Sequence, residues 1–341
     1  MTHSGRHSGP HWAHSAHSGG AHSGGRRGAA LFCVLLCILA YVPPGAPALG
    51  ASLSRAPAEA VRVIARQPHD PTAFTQGFLL RRGVYYESTG LYGQSSVRRV
   101  DPATGRVLAL RALPAPIFGE GLDLCRDENG RERLVQLTWR QGIMLTYDPQ
   151  TLTPKDSRPL RGEGWGLACR GGEAVLSDGT DTLRILDART LRETGRSLRV
   201  RDGGAPVPRI NELEWVNGWL VANIWQEDRV AVIRPDNGQV ALWLNLSVLR
   251  RELAESADKA GRTGRQNGPE AANGVAYDPD ADGGRGALLL TGKRWDRVFA
   301  VALPELLRRP PRSASAQGAG ARGASARGAS ARGASARGKA R

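Results

Sequence analysis

Two stretches of the sequence are nearly alike. FGEGLDLCR runs from Phe118 to Arg126, and GEGWGLACR runs from Gly162 to Arg170. Each places a glycine-flanked glutamate before a short apolar segment that ends in a cysteine and an arginine. This near-repetition indicates a repeated structural unit, a catalytic acid in one of the copies, or both.

The same anchor recurs five times along the chain. Its versions are TQGFLL, GEGLDL, GWGLAC, NELEWV and NGVAYD, and the equivalent residues are Gly77, Gly121, Gly166, Glu212 and Gly274. The steps between them are 44, 45, 46 and 62 residues, and the last step contains a polar stretch, Ala254–Glu270, which we interpret as an inserted loop. A period of about 45 residues is typical of a repeat architecture.

Each repeat carries the pattern of short β-strands. Alternating apolar and β-branched residues, as in VANIW and SSVRRV, indicate strands. Asp-Pro, Thr-Gly and Asp-Asn-Gly supply tight turns between them. Four strands in about 40–45 residues form one blade of a β-propeller. The sequence therefore predicts an all-β fold, a five-bladed β-propeller, because a β-sandwich would not need five matched anchors.

The last repeat lacks the pattern of an outer strand. We expect the segment VRVIA, Val61–Ala65, to pair there and close the ring, since the sheet edges at the chain ends would otherwise stay open. The only good helical pattern is VLRRELAESADKA, near residue 250.

The ends of the chain differ from its middle. Residues 1–25 repeat His-Ser-Gly, residues 313–341 repeat Ala-Arg-Gly-Ala-Ser, and neither tract can bury a core. Two arginines, an apolar run over 29–42, a Pro-Pro-Gly break and an Ala-Pro-Ala site have the layout of a secretory signal peptide. We assign residues 1–50 to a low-complexity N-terminus plus signal peptide, 51–60 to a linker, 61–307 to the propeller and 308–341 to a disordered tail.

A signal peptide implies export, to the periplasm or out of the cell, with no stable membrane insertion after cleavage. An uncleaved N-terminal anchor is the alternative. In an exported domain Cys125 and Cys169 could form a disulfide, although two buried thiols fit the sequence equally well. The net charge of +15 lies partly in the tails. The folding region has no basic stripe with interleaved aromatic residues, so we expect no nucleic-acid partner. We also expect the protein to be a monomer.

Histidine is almost absent from the folding region. Six of the seven histidines lie in the first 22 residues, which leaves His69, interpreted as a turn cap before Asp70. The folding region therefore has too few histidines for a histidine-rich zinc site, and only His69 could serve a Ser-His-Asp triad. We expect neither a metal nor a cofactor.

Residues just before the innermost strands of a propeller meet at one mouth of its channel. The anchors would bring there Gln76, Glu120, Glu163 or Trp165, Asn211 and Asn273. The ends of the second strands would add Glu87, Trp139, Asp178, Trp225, Lys293 and Trp295. Such a mixture of aromatic rings, acids, amides and a lysine is typical of a pocket for a small polar ligand.

Glu120 is the stronger candidate of the two glycine-flanked acids. Phe118 beside it supplies an apolar wall that would raise its pKa. The glycines around Glu163 can be explained by turn geometry alone, because glycine permits positive φ.

Taken together, the motifs resemble the glutamine cyclotransferase family, the plant-type and bacterial glutaminyl cyclases. They are HDPTAFTQGF, YESTGLYGQSSVRRVD, FGEGLDL, QLTWRQG, GEGWGL, SDGTD, INELEW, ANIWQEDRV and NGVAYDP. They occur in order through all five repeats and cover about residues 61–305. The resemblance implies a five-bladed propeller that converts the N-terminal glutamine of peptides or proteins to pyroglutamate and releases ammonia. The animal enzymes with this activity are a different, zinc-dependent class.

The resemblance also implies roles for individual residues. Glu120 matches the family's acid, with Asn211 and Lys293 as further catalytic residues. The residues implied to bind substrate are Phe74, Gln76, Phe118, Trp139, Trp165 and Trp225. The sequence departs from the family at RDENG, residues 126–130, and at the insertion before the last blade, which blurs the match of Lys293.

The implied reaction needs no protein nucleophile, because the amine and the carboxamide belong to one substrate. We expect Glu120 to carry the proton between them, with Asn211, Gln76 and Lys293 as donors to the oxyanion. The tryptophans would exclude water. Two alternatives stay open: a glycoside hydrolase that uses Glu120 and Glu163 as an acid pair, and a non-catalytic propeller that binds peptides or cell-wall fragments.

Overall fold

The structure, a computed structural model, describes residues 54–261 and 269–312. The N-terminus and signal peptide predicted over residues 1–50 lie outside the described residues, as do residues 313–341. The described part is built mostly of strands, and none of its helices is long and apolar enough to cross a membrane.

The strands follow one another in groups of four. The first strands of the described part are β1 (Ala58–Ala60) and β2 (Val63–Pro68). Blade 1 contains β3 (Thr75–Arg81), β4 (Val84–Thr89), β5 (Ser96–Val100) and β6 (Val107–Ala112). Blade 2 contains β7 (Gly119–Arg126), β8 (Glu132–Thr138), β9 (Ile143–Tyr147) and β10 (Pro154–Pro159). Blade 3 contains β11 (Gly166–Arg170), β12 (Glu173–Ser177), β13 (Thr182–Asp187) and β14 (Glu193–Arg199).

A small hairpin of β15 (Arg201–Asp202) and β16 (Ala205–Pro206) leads into the last two blades. Blade 4 contains β17 (Ile210–Val216), β18 (Trp219–Ile224), β19 (Arg229–Ile233) and β20 (Val240–Asn245). After helix α1 (Ser247–Lys259), blade 5 contributes β21 (Ala272–Asp278), β22 (Ala287–Gly292) and β23 (Arg297–Ala302). A helical turn at Ala281–Gly284 and a 3₁₀ turn at Glu305–Arg308 complete the described elements.

The five sheets form a ring, which confirms the predicted five-bladed β-propeller. Within each blade, consecutive strands pair antiparallel, with the first strand innermost. The inner strands contact one another in a circle, β3 with β7, β7 with β11, β11 with β17, β17 with β21, and β21 with β3.

The N-terminal segment closes this ring, as the sequence predicts. Strand β2 pairs antiparallel with β23 as the fourth strand of blade 5, with Val63 opposite Val301 and Pro68 opposite Arg297. Strand β1 lies within the predicted linker 51–60, yet it pairs parallel with β20 at the outer edge of blade 4. Two blades are therefore held by residues from the start of the domain.

The glycine anchors allow the inner strands to approach closely. A Cβ on Gly77 would lie 2.6 Å from the backbone nitrogen of Leu122, and one on Gly121 would lie 2.6 Å from Gly166 Cα and from the Trp165 carbonyl oxygen. A Cβ on Gly166 would overlap the carbonyl oxygen of Asn211. Glycine therefore recurs at these three anchors because a side chain there would push two blades apart. The fourth anchor, Glu212, does carry a side chain, and its oxygens accept from the backbone nitrogens of Phe78 and Val275.

A register shift marks the start of four inner strands. It falls between Thr75 and Gly77, between Gly119 and Leu122, between Ile210 and Leu213, and between Ala272 and Val275. Bulges of this kind redirect side chains and are common beside active sites. The residues released from regular pairing include Gln76, Glu120, Asn211 and Asn273.

The helix predicted near residue 250 is confirmed as α1, which buries Leu249, Leu253 and Ala257 against the propeller. The predicted inserted loop, Ala254–Glu270, is wrong in its first part, because α1 continues to Lys259. Residues 262–268 of that loop lie outside the described residues.

The chain also keeps defined contacts beyond the predicted domain end at 307. The Trp219 indole donates to the carbonyl oxygen of Arg309 at 2.8 Å, and Asn217 Nδ2 donates to that of Leu307 at 2.9 Å. The first residues of the tail predicted over 308–341 therefore lie against blade 4, up to Arg312.

His69 is buried, so its interpretation as a turn cap is wrong. Its two ring nitrogens contact the Trp295 carbonyl oxygen at 2.8 Å and Glu87 Oε1 at 3.0 Å. Arg98 bonds Glu87 from the other side and also reaches Asp70. Burial alone would raise the pKa of Glu87, but the charges of Arg98 and His69 outweigh it and lower that pKa to about 2. This network joins blade 1 to blade 5, and Glu87, predicted at the channel mouth, belongs to it instead.

Cys125 and Cys169 form a disulfide, with their Cα atoms 5.4 Å apart. This resolves the alternative that the sequence leaves open. The bond joins the ends of β7 and β11, so it ties blade 2 to blade 3.

Replacing an anchor glycine should cost stability through backbone overlap. We expect Gly121→Ala to lower the free energy of unfolding by about 3 kcal/mol, because rigid backbone atoms surround the new methyl group. Gly130→Ala is the control: no atom lies within 4 Å of its Cβ, and its φ of +74° adds only backbone strain, about 1–2 kcal/mol. Urea unfolding measures both, and equal losses would contradict the close-packing argument.

Candidate active site

One cavity lies at the N-terminal ends of the inner strands and has a volume of about 370 Å³. All nine residues that the family resemblance implies for the site line it: Phe74, Gln76, Phe118, Glu120, Trp139, Trp165, Asn211, Trp225 and Lys293. Four further lining residues were not predicted: Leu91, Gln226, Glu270 and Ala271. The cavity would hold a small side chain, and five of its thirteen lining residues are aromatic.

Two of the unpredicted residues lie on left-handed turns. Leu91 has a φ of 80° and Gln226 a φ of 62°, and each follows the second strand of its blade by two residues. Glycine is the usual residue at positive φ, so the sequence gives no signal for a leucine or a glutamine there. Backbone strain of this kind is common at functional sites.

Glu120 lies on the bulge of β7, and only 5% of its surface is exposed. Its Oε1 accepts a hydrogen bond from Gln76 Nε2 at 3.2 Å, whereas Oε2 has no hydrogen-bond partner within residues 54–261 and 269–312. Burial raises the pKa of the Glu120 carboxyl well above its ordinary value, and the charge of Glu163 adds to the rise while that of Lys293 opposes it. A carboxyl whose pKa is raised holds its proton more readily than an ordinary glutamate, which suits a group that must both accept and donate a proton.

Asn273 fixes the orientation of the Gln76 amide. Its Nδ2 donates to Gln76 Oε1 at 2.9 Å, which leaves Gln76 Nε2 to face Glu120. Asn273 is fully buried and does not line the cavity, so it acts on Glu120 only through Gln76.

Asn211 lies on the bulge of β17 and is 2% exposed. Its Oδ1 is buried and has no hydrogen-bond partner in the described part of the chain. An unsatisfied buried oxygen costs about 1–3 kcal/mol. An N–H group of a ligand in the cavity would remove this cost, so Asn211 marks a position where a donor is expected to bind.

Lys293 is the first residue after β22 and is 5% exposed. Burial lowers the pKa of its ammonium group, although the charges of Glu120 and Glu270 oppose this. Its Nζ lies 4.7 Å from the centre of the Phe74 ring, a cation–π contact. The side chain is thus held across the cavity from the aromatic residues of blades 2 and 3.

Two pairs of aromatic rings line the cavity and form what we call the aromatic wall. Phe118 meets Trp139 with ring centres 5.4 Å apart, and Trp165 meets Trp225 at 5.6 Å. Gly90 leaves room for this wall, because a Cβ there would lie 2.6 Å from Phe118 Cζ. The wall excludes solvent from one side of Glu120.

Glu163 does not line the cavity, and both of its carboxylate oxygens are occupied. Oε2 accepts from the indoles of Trp139 and Trp165, and Oε1 accepts from Arg140. Burial would raise the pKa of Glu163, but these three hydrogen bonds outweigh it and lower that pKa. The turn-geometry interpretation of Glu163 is therefore incomplete, since its side chain holds two pocket residues.

Two residues predicted at the mouth lie elsewhere. Trp295 is fully buried beneath the site and donates to the Glu270 carbonyl oxygen at 3.0 Å. The residue equivalent to Trp139 and Trp225, directly after the second strand, is Lys293, so Trp295 comes two positions too late. Asp178 does follow its strand directly, but it bonds Thr180 and lies 3.5 Å from Arg184.

A larger cavity, of about 710 Å³, lies at the opposite ends of the inner strands. Charged side chains form about half of its lining, among them Arg81, Arg126 and Glu132. Its lining is less apolar than that of the smaller cavity, whereas binding pockets for small ligands are mostly apolar.

The sequence profile described as glutamine cyclotransferase matches residues 34–303 of this chain. The chain belongs to the glutamine cyclotransferase family. It is 39% identical over 247 residues to the glutaminyl-peptide cyclotransferase of Arabidopsis thaliana, a match that covers 72% of each protein. The crystal structure of Myxococcus xanthus glutaminyl cyclase is 32% identical, with a TM-score of 0.61, and the match covers 72% of this chain and 97% of that one.

Membership of this family makes the chain an enzyme, which confirms that prediction. The family match spans all five blades, so the cavity at the channel mouth lies within the shared part.

The charge of Lys293 should act directly on Glu120. Because Lys293 opposes the rise in the pKa of Glu120, we expect Lys293→Met to move that pKa further upward. A pH titration of tryptophan emission should detect it, since three tryptophans surround Glu120. Glu120→Gln is the control that should lack the transition. A shift to lower pH in Lys293→Met would contradict the assignment.

Proposed function

We propose that this member of the glutamine cyclotransferase family converts the N-terminal glutamine of peptides and proteins to pyroglutamate, with release of ammonia. The names of its relatives support the reaction. The observation that carries the proposal is the buried Glu120 carboxyl, which has one oxygen free toward a small cavity that also contains the unpartnered Asn211 Oδ1.

The reaction is an intramolecular acyl transfer. The α-amine nitrogen of the substrate attacks the carbonyl carbon of its own side-chain carboxamide, a five-membered lactam forms, and the C–N bond of the carboxamide breaks. Because both groups belong to one molecule, holding the side chain in the folded conformer supplies much of the rate. A narrow cavity with aromatic walls favours that conformer over an extended one.

Glu120 carries the proton between the two nitrogens. As a carboxylate it accepts a proton from the attacking amine, and as a carboxylic acid it donates that proton to the departing nitrogen, which leaves as ammonia. The raised pKa of Glu120 suits both steps. Gln76 holds Oε1, so the shuttle runs through Oε2.

Two side chains remain to bind the carboxamide. The Asn211 Oδ1 accepts a substrate N–H, and Lys293 with the Asn211 amide nitrogen donates to the oxygen on which negative charge develops. Gln76, which the sequence also suggests as a donor, gives its Nε2 to Glu120 instead.

We also propose that the reaction needs no metal. Within the described residues no three His, Cys, Asp or Glu side chains lie where they could hold one metal ion. The mechanism above assigns every proton transfer to side chains of the chain itself.

The geometry does not favour the glycoside hydrolase alternative. Such an enzyme needs two available carboxyl groups across the scissile bond, and both oxygens of Glu163 are engaged by Trp139, Trp165 and Arg140. The non-catalytic alternative is decided by the experiment below.

We propose that the protein is exported and acts as a monomer on peptides and proteins outside the cytosol. The layout of the first 50 residues supports export, and so does the Cys125–Cys169 disulfide, because such bonds persist in oxidising compartments.

Glu120→Gln should separate an enzyme from a binding module. We expect it to lower kcat for a Gln-initiated dipeptide amide by about 10²–10⁴-fold, with the dissociation constant for the peptide kept within a few fold. Ammonia release measures turnover, with a metal chelator present throughout, and calorimetry measures binding. Glu305→Gln, at an exposed carboxylate, is the control. If the wild-type protein shows no turnover and Glu120→Gln no longer binds the peptide, the protein is a binding module. If the chelator abolishes turnover by the wild-type protein, the reaction does need a metal.

Asn273→Ala should weaken catalysis without touching the cavity wall. Freed from Asn273, the Gln76 amide can rotate and present its oxygen to Glu120, which disfavours the carboxylate. We expect kcat to fall about tenfold, the effect of one hydrogen bond, with KM nearly unchanged. A raised KM with an unchanged kcat would show that Asn273 shapes the pocket instead.

A further inference from the structure

The second glycine-flanked glutamate, Glu163, has a distinct position behind the aromatic wall. Its Oε2 accepts hydrogen bonds from Trp139 Nε1 at 2.8 Å and from Trp165 Nε1 at 2.9 Å. Trp139 follows β8 in blade 2, and Trp165 precedes β11 in blade 3. One carboxylate oxygen therefore joins cavity walls that come from two blades.

The other carboxylate oxygen of Glu163 also accepts a hydrogen bond. Oε1 accepts from Arg140 Nε at 2.7 Å, and the Arg140 guanidinium lies 3.9 Å from the centre of the Trp139 ring. Arg184 Nη2 donates to the Glu163 backbone oxygen at 3.0 Å. Glu163 is thus fixed at both its backbone and its side chain.

Glu163 holds one ring of each aromatic pair in place. Trp139 contacts Phe118, and Trp165 contacts Trp225, so each indole held by Glu163 is one half of an aromatic pair. Neither indole N–H has another acceptor in the described chain. Loss of the carboxylate would leave both rings free to tilt and would change the width of the gap between the pairs.

We propose that Glu163 is a positioning residue that sets the width of the cavity for the glutaminyl side chain by fixing Trp139 and Trp165. The inference rests on the proposed function. Glu120, Asn211 and Lys293 have no hydrogen bond to Glu163, so the reacting groups stay in place when it is changed. The charge of Glu163 adds to the raised pKa of Glu120, and Glu163→Gln and Glu163→Ala remove that charge alike. The difference between these two variants therefore falls on substrate binding, and a change in kcat that both share reports the lost charge.

Only a carboxylate satisfies all three donors at once. A glutamine at this position can accept from the indoles with its single oxygen, but its NH₂ group then faces the Arg140 guanidinium. An alanine accepts from neither. The predicted order of substrate affinity is therefore wild type, then Glu163→Gln, then Glu163→Ala.

Steady-state kinetics of these variants test the proposal. We expect Glu163→Ala to raise KM for a Gln-initiated dipeptide amide about tenfold or more, the effect of losing hydrogen bonds to a charged group, with kcat within about threefold. Glu163→Gln should lie between Glu163→Ala and wild type. Glu252→Ala is the matched control, because the Glu252 side chain is 24% exposed against 32% for Glu163 and also binds two arginines, Arg66 and Arg297, but accepts no hydrogen bond from any tryptophan among the described residues.

A double-mutant cycle tests the link to the indole itself. If Glu163 acts through Trp139, the change Trp139→Phe should raise KM less in the Glu163→Ala background than in the wild type. Additive effects of the two changes on KM would contradict a shared role. If Glu163→Ala does not fold, Glu163→Met, which keeps the length of the side chain but has no carboxylate, carries the cycle.

A measurement without turnover separates this inference from the proposed function. Acrylamide quenching of tryptophan emission should increase in Glu163→Ala and not in Glu252→Ala, because only the first change frees two indoles. If the wild-type protein has no cyclase activity, the proposed function is wrong. The quenching measurement would still test whether Glu163 holds the indoles of Trp139 and Trp165. Unchanged quenching together with an unchanged KM in Glu163→Ala would overturn the inference.

Discussion

The close approach of the inner strands at the glycine anchors is the constraint on which the rest of the structure depends. A methyl group on Gly121 would reach to 2.6 Å from the backbone of the next blade, so the strands meet with almost no space between them. The first residues of the five inner strands thereby meet at one narrow mouth of the central channel. The bulges in four of these strands then turn Gln76, Glu120, Asn211 and Asn273 away from regular pairing. The same local geometry thus closes the ring and assembles the site.

The electrostatics of the site follow from this closure. Because the mouth is narrow and its wall aromatic, Glu120 and Lys293 are both almost removed from water. Burial raises the pKa of the acid and lowers that of the lysine, which brings both toward the range in which a proton moves easily. Asn273 and Gln76 orient one oxygen of Glu120 and leave the other free. Glu163, the second copy of the motif, has a lowered pKa because it is bonded to donors on both oxygens.

Much of this could be predicted from the sequence, because the five anchors report both the period and the strand starts. Nine residues placed by the anchors and by family resemblance do meet around one cavity. The errors came from positions near strand ends, where a shift of one or two residues changes the face that a side chain occupies. Trp295 and Glu87 were misplaced in this way, and Lys293 proved to be the equivalent of Trp139. Leu91 and Gln226 could not be predicted, because no local signal marks a left-handed turn at those residue types. The hydrogen bonds of Glu163 join two blades and are visible only in three dimensions.

A crystal structure of Glu120→Gln with a bound Gln-initiated dipeptide tests the central claim most directly. The account predicts the substrate carboxamide inside the aromatic cavity, with an N–H on Asn211 Oδ1, the α-amine beside residue 120 and the indoles of Trp139 and Trp165 against the side chain. A dipeptide bound instead in the larger cavity at the opposite ends of the inner strands, near Arg81 and Glu132, would contradict it.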